Sequence, residues 1–523
     1  MLRMIATPVA LFGAAAIAAG MSLAAVPAGA DNRPGLIAVP TANPRFGVQN
    51  TVLTPSASQT SVAWGSLKLT NPDAANGVTH YGYNTVNGGP LTQAANEANK
   101  TEPDKNVYLV LGGKHYLYQG HELGPRGYVT RINLDETDPA KRVTLISDVA
   151  SDGTPFPTID GITWNPFSKQ LLLTSEAKAP TGGVFAVSLD SSGNPVDGKA
   201  VRLRALGSGG YEGVQNDSDG NVWIVEDVGG AAASGGKVPN SYLYRFVPTD
   251  KADLTRGGSL QALQVKRGNG QPATAAELQA NPSDGFISDL HTYGASFSTS
   301  WVEISSGTTS VNATAAAAAA KATPFKRPEN GVFRPGTSFR EFYFTETGDT
   351  SATSTLPGAF GGVFKLSQSA PSAMSGTISP AYLGDVNHTG LDNITFASSS
   401  TFLAVEDAGD LLHGQRNALD SGYAVTLGDG KGKGKEPTVV RFMAEGRDAS
   451  AAFDAAGGPS YNDGDNEITG IHVSDGDPSP AGLLGAKVPR LGNAAWRTFW
   501  TQQHGDNVTW EITWLGRLDN EDR

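Results

Sequence analysis

Cysteine is absent from all 523 residues. Its absence removes disulfides, thiolate metal ligands and a cysteine nucleophile together, so any metal must be held by oxygen or imidazole. The eight histidines show no HExxH spacing, and His121-Glu122-Leu123-Gly124 lacks the second histidine of a zinc-protease helix. No GxSxG elbow, Walker loop, dinucleotide fingerprint or EF-hand loop is present, and Gly207-Ser208-Gly209-Gly210 reads as an ordinary turn. Positive charge is scarce: 39 Lys and Arg face 51 Asp and Glu, which makes nucleic acid and anionic membranes poor partners. Long amphipathic helical periods are scarce too. The helix candidates are Ala313–Thr323, an Ala-rich stretch expected as a surface insertion, and a short one near Ala273–Ala280; Gly428–Lys435 reads as an exposed loop.

The one long apolar stretch lies at the start. Arg3 is followed by an Ala/Gly/Val/Leu-rich run to about Ala25, then by Ala28-Gly29-Ala30, small residues suited to a cleavage site. Residues 1–30 are therefore expected to be a secretory signal peptide, too rich in Ala and Gly for a permanent membrane span. Removing Arg3 with it takes the net charge from −12 to −13. Residues 31–523 are expected to form a single, exported domain acting as a monomer.

What is abundant is short β-branched and aromatic runs between turns rich in Asn, Asp, Gly and Ser. One unit recurs: a small hydrophobic strand, a polar turn, and an apolar strand that finishes on an acid. It runs from Asp160 to Glu176, from Glu212 to Glu226-Asp227, from Asn330 to Glu346 and from Asp392 to Glu406-Asp407. A further copy opens at Glu467 and, after an insertion, ends at His504, and Tyr116–Glu122 closes another. Such spacing predicts an all-β fold, a six-bladed β-propeller with long inter-blade insertions, in which equivalent strand ends converge on one mouth of a channel. A β-sandwich or parallel β-helix is the alternative, but neither gives acids a reason to recur at one point of each repeat.

If the repeats are radially equivalent, Glu122, Glu176, Glu212, Asp227, Glu346, Asp392, Glu406 and Glu467 surround one axis. Their repulsion and desolvation would raise their pKa values unless cations neutralise them. Calcium suits such a site, because it accepts six to eight oxygens in flexible geometry and loop carboxylates and amides such as Asn393 can supply them. Phosphates become acceptable to an acidic protein once cations cover its carboxylates.

Several segments resemble, in order, motifs of the PhoX-type alkaline phosphatases: Tyr211-Glu212-Gly213, Ser241–Val247 with Asp253–Gly258, Arg327-Pro328-Glu329, Tyr343–Asp349, Leu391-Asp392-Asn393 and Glu467–Gly470. The resemblance runs from about Val107 to His504. It implies a propeller whose channel mouth holds calcium ions and an iron pair and hydrolyses small-molecule phosphate esters. Glu176, Glu212, Glu329, Asp392 and Glu467 match acidic metal-site positions, with Glu122 a weaker match. Arg327 matches the phosphate-contacting arginine, and Arg327 and Glu329 are the expected catalytic residues. A guanidinium offers phosphate a planar fork; without the resemblance, the plain reading of Arg327 is an ion pair with Glu329.

Two departures stand out. Ser175 occupies the position where the family places an iron-binding cysteine, which leaves open calcium alone, a differently ligated metal such as iron without its thiolate, or fewer ions. Only Arg3 is found where these phosphatases carry a twin-arginine export signal. The reading is thus a periplasmic or secreted, calcium-containing phosphatase active on phosphomonoesters or diesters. A calcium-stabilised binding module without hydrolase activity and an esterase or lactonase propeller are its alternatives.

Overall fold

A computed structural model describes residues 36–45, 50–65, 67, 69–70, 102–122, 127–428, 436–446, 467–503 and 507–515. The expected signal peptide, His504 and most of the Gly428–Lys435 loop lie outside the described residues. No helix among the described residues is long and apolar enough to cross a membrane.

The recurring sequence unit is the first strand pair of a repeated antiparallel sheet. Strands β1 (Val52–Leu53) and β2 (Ala57–Ala63) precede the first unit, formed by β3 (Pro103–Leu111), β4 (Lys114–His121), β5 (Tyr128–Asn133) and β6 (Val143–Ser147). The next is β7 (Ile162–Asn165), β8 (Gln170–Ser175), β9 (Gly183–Ser188) and β10 (Val201–Arg202). Then come β11 (Tyr211–Asn216) and β12 (Val222–Glu226), the separate hairpin β13 (Ala231–Ala233) and β14 (Gly236–Val238), and β15 (Leu243–Pro248) with β16 (Gly258–Val265).

An insertion follows: α1 (Ala275–Ala280), α2 (Gly285–Leu290), β17 (Phe297–Gly307) and α3 (Ala313–Ala319). Strand β17 pairs with β16 on one side and, on the other, with β21 (Ser375–Leu383), the outer strand of the next unit. That unit also contains β18 (Pro328–Phe333), β19 (Glu341–Glu346) and β20 (Gly362–Gln368), and the bridge makes one nine-stranded sheet of two units.

The last two units are β22 (Leu391–Phe396), β23 (Thr401–Glu406), β24 (Ser421–Thr426) and β25 (Thr438–Ala444), edged by β1, and β26 (Glu467–Ser474), β27 (Arg497–Gln503) and β28 (Thr509–Trp514). Helix α4 (Gly409–Arg416) lies between β23 and β24. Strand β2, from the start of the chain, is the fourth strand of the last sheet and pairs with β28. Its position ties the two ends of the chain together.

The innermost strands β3, β7, β11, β18, β22 and β26 each touch the next, and β26 touches β3, so they close a ring. This all-β architecture is a β-propeller. The apolar residues of neighbouring units interlock around it, for example Trp223 against Phe333 and Phe342. The Ala-rich stretch is a helix as expected, but Ala313 and Ala317 are buried in the core of the third unit, so one face of it is structural rather than a free insertion.

Candidate metal centre

Five of the six innermost strands carry a break in their pairing register: Pro103/Asn106, Tyr211/Val214, Pro328/Gly331, Leu391/Ile394 and Thr469/His472. Such bulges release a strand from strict alternation and re-aim its side chains. Four of them contain an acid followed by a second residue: Asp104-Lys105, Glu212-Gly213, Glu329-Asn330 and Asp392-Asn393. Asp160 stands ahead of β7 in the same relation to Gly161. One cavity of about 420 Å³ collects these acids, lined by Glu102, Asp104, Glu122, Asp160, Glu176, Glu212, Arg327, Glu329, Asp392, Asp407, Glu467, Thr469 and Gln503. All seven residues expected from the sequence, Glu122, Glu176, Glu212, Arg327, Glu329, Asp392 and Glu467, line it.

Second strands contribute by a different rule. Glu122, Glu176, Asp227 and Asp407 each stand one residue beyond the end of β4, β8, β12 and β23. The last strand residues point elsewhere, which corrects the placement of Glu346 and Glu406 around the axis. Glu346 accepts from His291 Nε2 at 2.6 Å and from the Lys326 N–H at 2.6 Å. Glu406 accepts from Arg416 Nη2 at 3.0 Å and from the Ser421 N–H at 3.0 Å. Glu226 does likewise with the Tyr244 hydroxyl, at 2.8 Å. A one-residue step along a strand reverses the face, so these strand-ending acids tie neighbouring elements of their own sheets, while Asp227 and Asp407, one residue on, meet the cluster and the cavity.

The carboxylates fall into four groups whose ligand oxygens lie within 4.8 Å of one another: Asp104, Asp160 and Glu212; Glu122, Asp160 and Glu176; Glu176, Asp227 and Glu329; and Glu212, Glu329 and Asp392. Shared members make them one continuous cluster. Glu329 Oε1 accepts from the Thr347 hydroxyl at 2.6 Å, Glu122 Oε2 from Gln503 Nε2 at 2.7 Å, and Asp392 Oδ2 from Asn393 Nδ2 at 2.7 Å. The Asn330 amide nitrogen donates to both Glu212 Oε1 and Asp392 Oδ1, at 3.2 Å each, and its carbonyl accepts from the Lys105 ammonium.

Burial first, then the charge of neighbouring carboxylates, holds the acids above their ordinary range. Glu122 is pushed up to about 8 by burial and Asp104, and Glu176 to about 8 by burial and Glu122. Asp104, Asp160, Glu212 and Glu329 are pushed well up by burial, reinforced by Asp392, Asp104, Glu176 and Asp227 respectively. Burial raises Asp392 against the lowering effect of its Asn393 hydrogen bond. Burial also lowers Lys105, opposed by Asp392, Asp104 and Glu212. For Arg327, burial works to lower the pKa, but the charges of Asp227, Glu329 and Asp407 outweigh it and raise it.

The donor set fits a hard cation. Every candidate ligand is oxygen, and no histidine among the described residues lines the cavity. Asp104 Oδ1 and Asp160 Oδ1 are buried with no hydrogen-bond donor in reach, an arrangement costly for anions unless a cation meets them. Ser175 is fully buried and does not line the cavity; its Oγ accepts from the Ala177 N–H at 3.2 Å. Arg327 lies at the edge of the cluster in a left-handed backbone conformation, φ 52°, a cost a functional position tolerates when its surroundings enforce it. Its Nε donates to Asp227 Oδ2 at 2.8 Å, and Nη2 lies 3.3 Å from Glu329 Oε1. The ion pair with Glu329 and a place in the cavity therefore coexist.

Sequence reasoning passed over Glu102, Asp104, Asp160 and Asp407 and did not rank Asp227 among the ligands. The available signal was Asp160-Gly161 beside Glu212-Gly213, and Asp407 following Glu406 as Asp227 follows Glu226.

Comparisons with known proteins place the chain as follows. A family model described as "Alkaline phosphatase PhoX" matches residues 185–478. The solved structure of Pseudomonas fluorescens PhoX in complex with vanadate, a transition state analogue, superposes with a TM-score of 0.54 at 12% identity, covering 92% of this chain and 98% of that one. A gluconolactonase from Xanthomonas campestris aligns with a TM-score of 0.39 at 10% identity, over 92% of this chain and 99% of that one. No curated protein matches the sequence.

Proposed function

This chain belongs to the PhoX alkaline phosphatase family and is a phosphoric-ester hydrolase, and on that premise we propose that it is an exported enzyme whose hydrolysis depends on calcium held by the channel carboxylates. The observation that carries the reading is the continuous cluster of carboxylates beside Arg327 in one cavity. In this reading Glu122, Glu176, Glu212, Glu329, Asp392 and Glu467 hold the ions, joined by Asp104 and Asp160 with their unpartnered oxygens. Bound calcium would supply positive charge that stabilises the developing charge of the phosphoryl group and lowers the pKa of a coordinated water.

The chain's own residues do the rest. Arg327, held from one side by Asp227 and from the other by Glu329, presents its guanidinium to phosphate oxygens in a fixed orientation. Thr347 anchors Glu329 through its hydroxyl. Calcium is favoured over iron because the donors are all oxygen and Ser175 offers the cavity neither a thiolate nor its hydroxyl.

Export to the periplasm or the medium rests on the composition of residues 1–30, and a small phosphate ester is the substrate class. Hydrolysis of a chromogenic phosphomonoester should be lost on chelation and restored by calcium. Hydrolysis that persists after exhaustive chelation contradicts the calcium dependence; hydrolysis of acyl esters in preference to phosphate esters contradicts the substrate class.

A further inference from the structure

Ten carboxylates line the cavity and a single guanidinium shares it. One more cation stands just behind them. Lys105 follows Asp104 in the first bulge, is only 3% exposed, and lines a second, smaller cavity of about 30 Å³ with His472, Gln215 and Thr163. Its ammonium lies within the fields of Asp392, Asp104, Glu212 and Asp160; burial first, and that same charge second, lower the pKa of His472, which accepts from the Tyr108 N–H at 3.2 Å.

The ammonium donates to the carbonyl of the Asn330 amide, whose nitrogen donates to Glu212 and Asp392. Lys105 has no acceptor atom, so its presence fixes which way that amide faces: oxygen to the ammonium, nitrogen to the acids. Gly213 leaves the room Asn330 needs, since a Cβ there would stand 2.8 Å from Asn330 Oδ1.

We propose that Lys105 is a tethered cation of the cluster, neutralising the Glu212–Asp392 side from within the channel as a further bound ion would, and setting Asn330 as the spacer between those two acids. The proposal rests on cation binding by the carboxylates and deepens it: part of the positive charge is built into the chain, and the metal-free protein depends on it. The test compares full-length protein with its Lys105→Met variant, measuring the fall in Tm when calcium-saturated protein is chelated.

The parent should show a fall, and the variant a fall larger by several degrees, because calcium then carries charge the lysine no longer supplies. Equal falls in parent and variant overturn the proposal while leaving calcium binding intact; no fall in the parent defeats the calcium reading itself, and this inference with it. Should Lys105→Met not fold, Lys105→Met with Glu212→Gln removes one charge of each sign. Folding of that double variant supports the charge-balancing role, and failure to fold even in calcium overturns it.

Discussion

Arg327 reaches from the entrance of β18 to Asp227, just past the end of β12, with its Nε 2.8 Å from the carboxylate. The pair joins the two units of the nine-stranded sheet across the rim of the cluster and fixes the guanidinium that faces the cavity. Removing the charge of Asp227 should release it. A charged hydrogen bond of this kind contributes about 1.5–3 kcal/mol, so Asp227→Asn should lower kcat/KM for a phosphomonoester roughly ten- to a hundredfold. Unchanged steady-state kinetics would show that Arg327 is not positioned through Asp227.

Arg327→Lys keeps the charge and loses the fork. A point charge on a flexible stem cannot hold Asp227, Glu329 and a phosphate oxygen at once, so activity should fall at least as far as in Asp227→Asn while Tm changes little. Kinetics measured beside a melting curve check this; full activity would remove Arg327 from the phosphate-binding role.

Adjacent acids should separate cleanly into two classes. Glu406 is buried against Arg416, and breaking a buried pair by removing one partner's charge costs about 3–5 kcal/mol; Glu406→Gln should lower Tm with the calcium requirement unaltered. Asp407→Asn, one residue on, should raise the calcium concentration needed for activity with little loss of Tm. If both variants behave alike, the register argument for the second strands fails.

This contrast also marks how far the sequence could be read. The repeats were legible because each first strand pair is bounded by turn residues; Glu212, Asp392 and Glu467 were legible because they open those repeats, and Glu329 through the resemblance carried by Arg327-Pro328-Glu329. Glu346 and Glu406 look identical to Glu176 as strand-ending acids, yet the structure ends β8 at Ser175 and β19 and β23 at the glutamates themselves. A single-residue difference in strand end decides the face, and nothing in the spacing reveals it. Asp104 was hidden for another reason: it lies outside the recurring units read from the sequence, and the bulge in β3 directs it inward.

Stability should depend on pH through His291. Both ring nitrogens face acceptors, Nδ1 the Ile287 carbonyl at 2.8 Å and Nε2 Glu346 at 2.6 Å, so the imidazolium is the form that satisfies both. Burial works to lower its pKa, but Glu346 outweighs it and the net direction is upward. A raised folded-state value means the contribution is fully present below the unfolded pKa, about 6.5, and is lost as pH rises through the folded one. Melting curves from about pH 6 to about pH 9 should show this loss in the parent and a flatter profile in Glu346→Gln; the same slope in both would exclude the pair as its source.

Gly213 tests the close packing beneath the acids. A Cβ there would stand 2.9 Å from both Asn330 Cα and the Glu329 carbonyl, and relieving such overlap costs about 1–3 kcal/mol. Gly213→Ala should lower Tm and, by displacing Glu329 and Asn330, also activity. Loss of neither would mean the inner strands yield more easily than their spacing indicates.

The most direct test is metal analysis of the protein purified from its native compartment, run beside the Glu329→Gln/Asp392→Asn double variant. Calcium bound in stoichiometric amount, without stoichiometric iron, and reduced in the variant is the result the carboxylate cluster predicts. Parent protein that is folded and hydrolyses phosphate esters yet carries no divalent cation would contradict it.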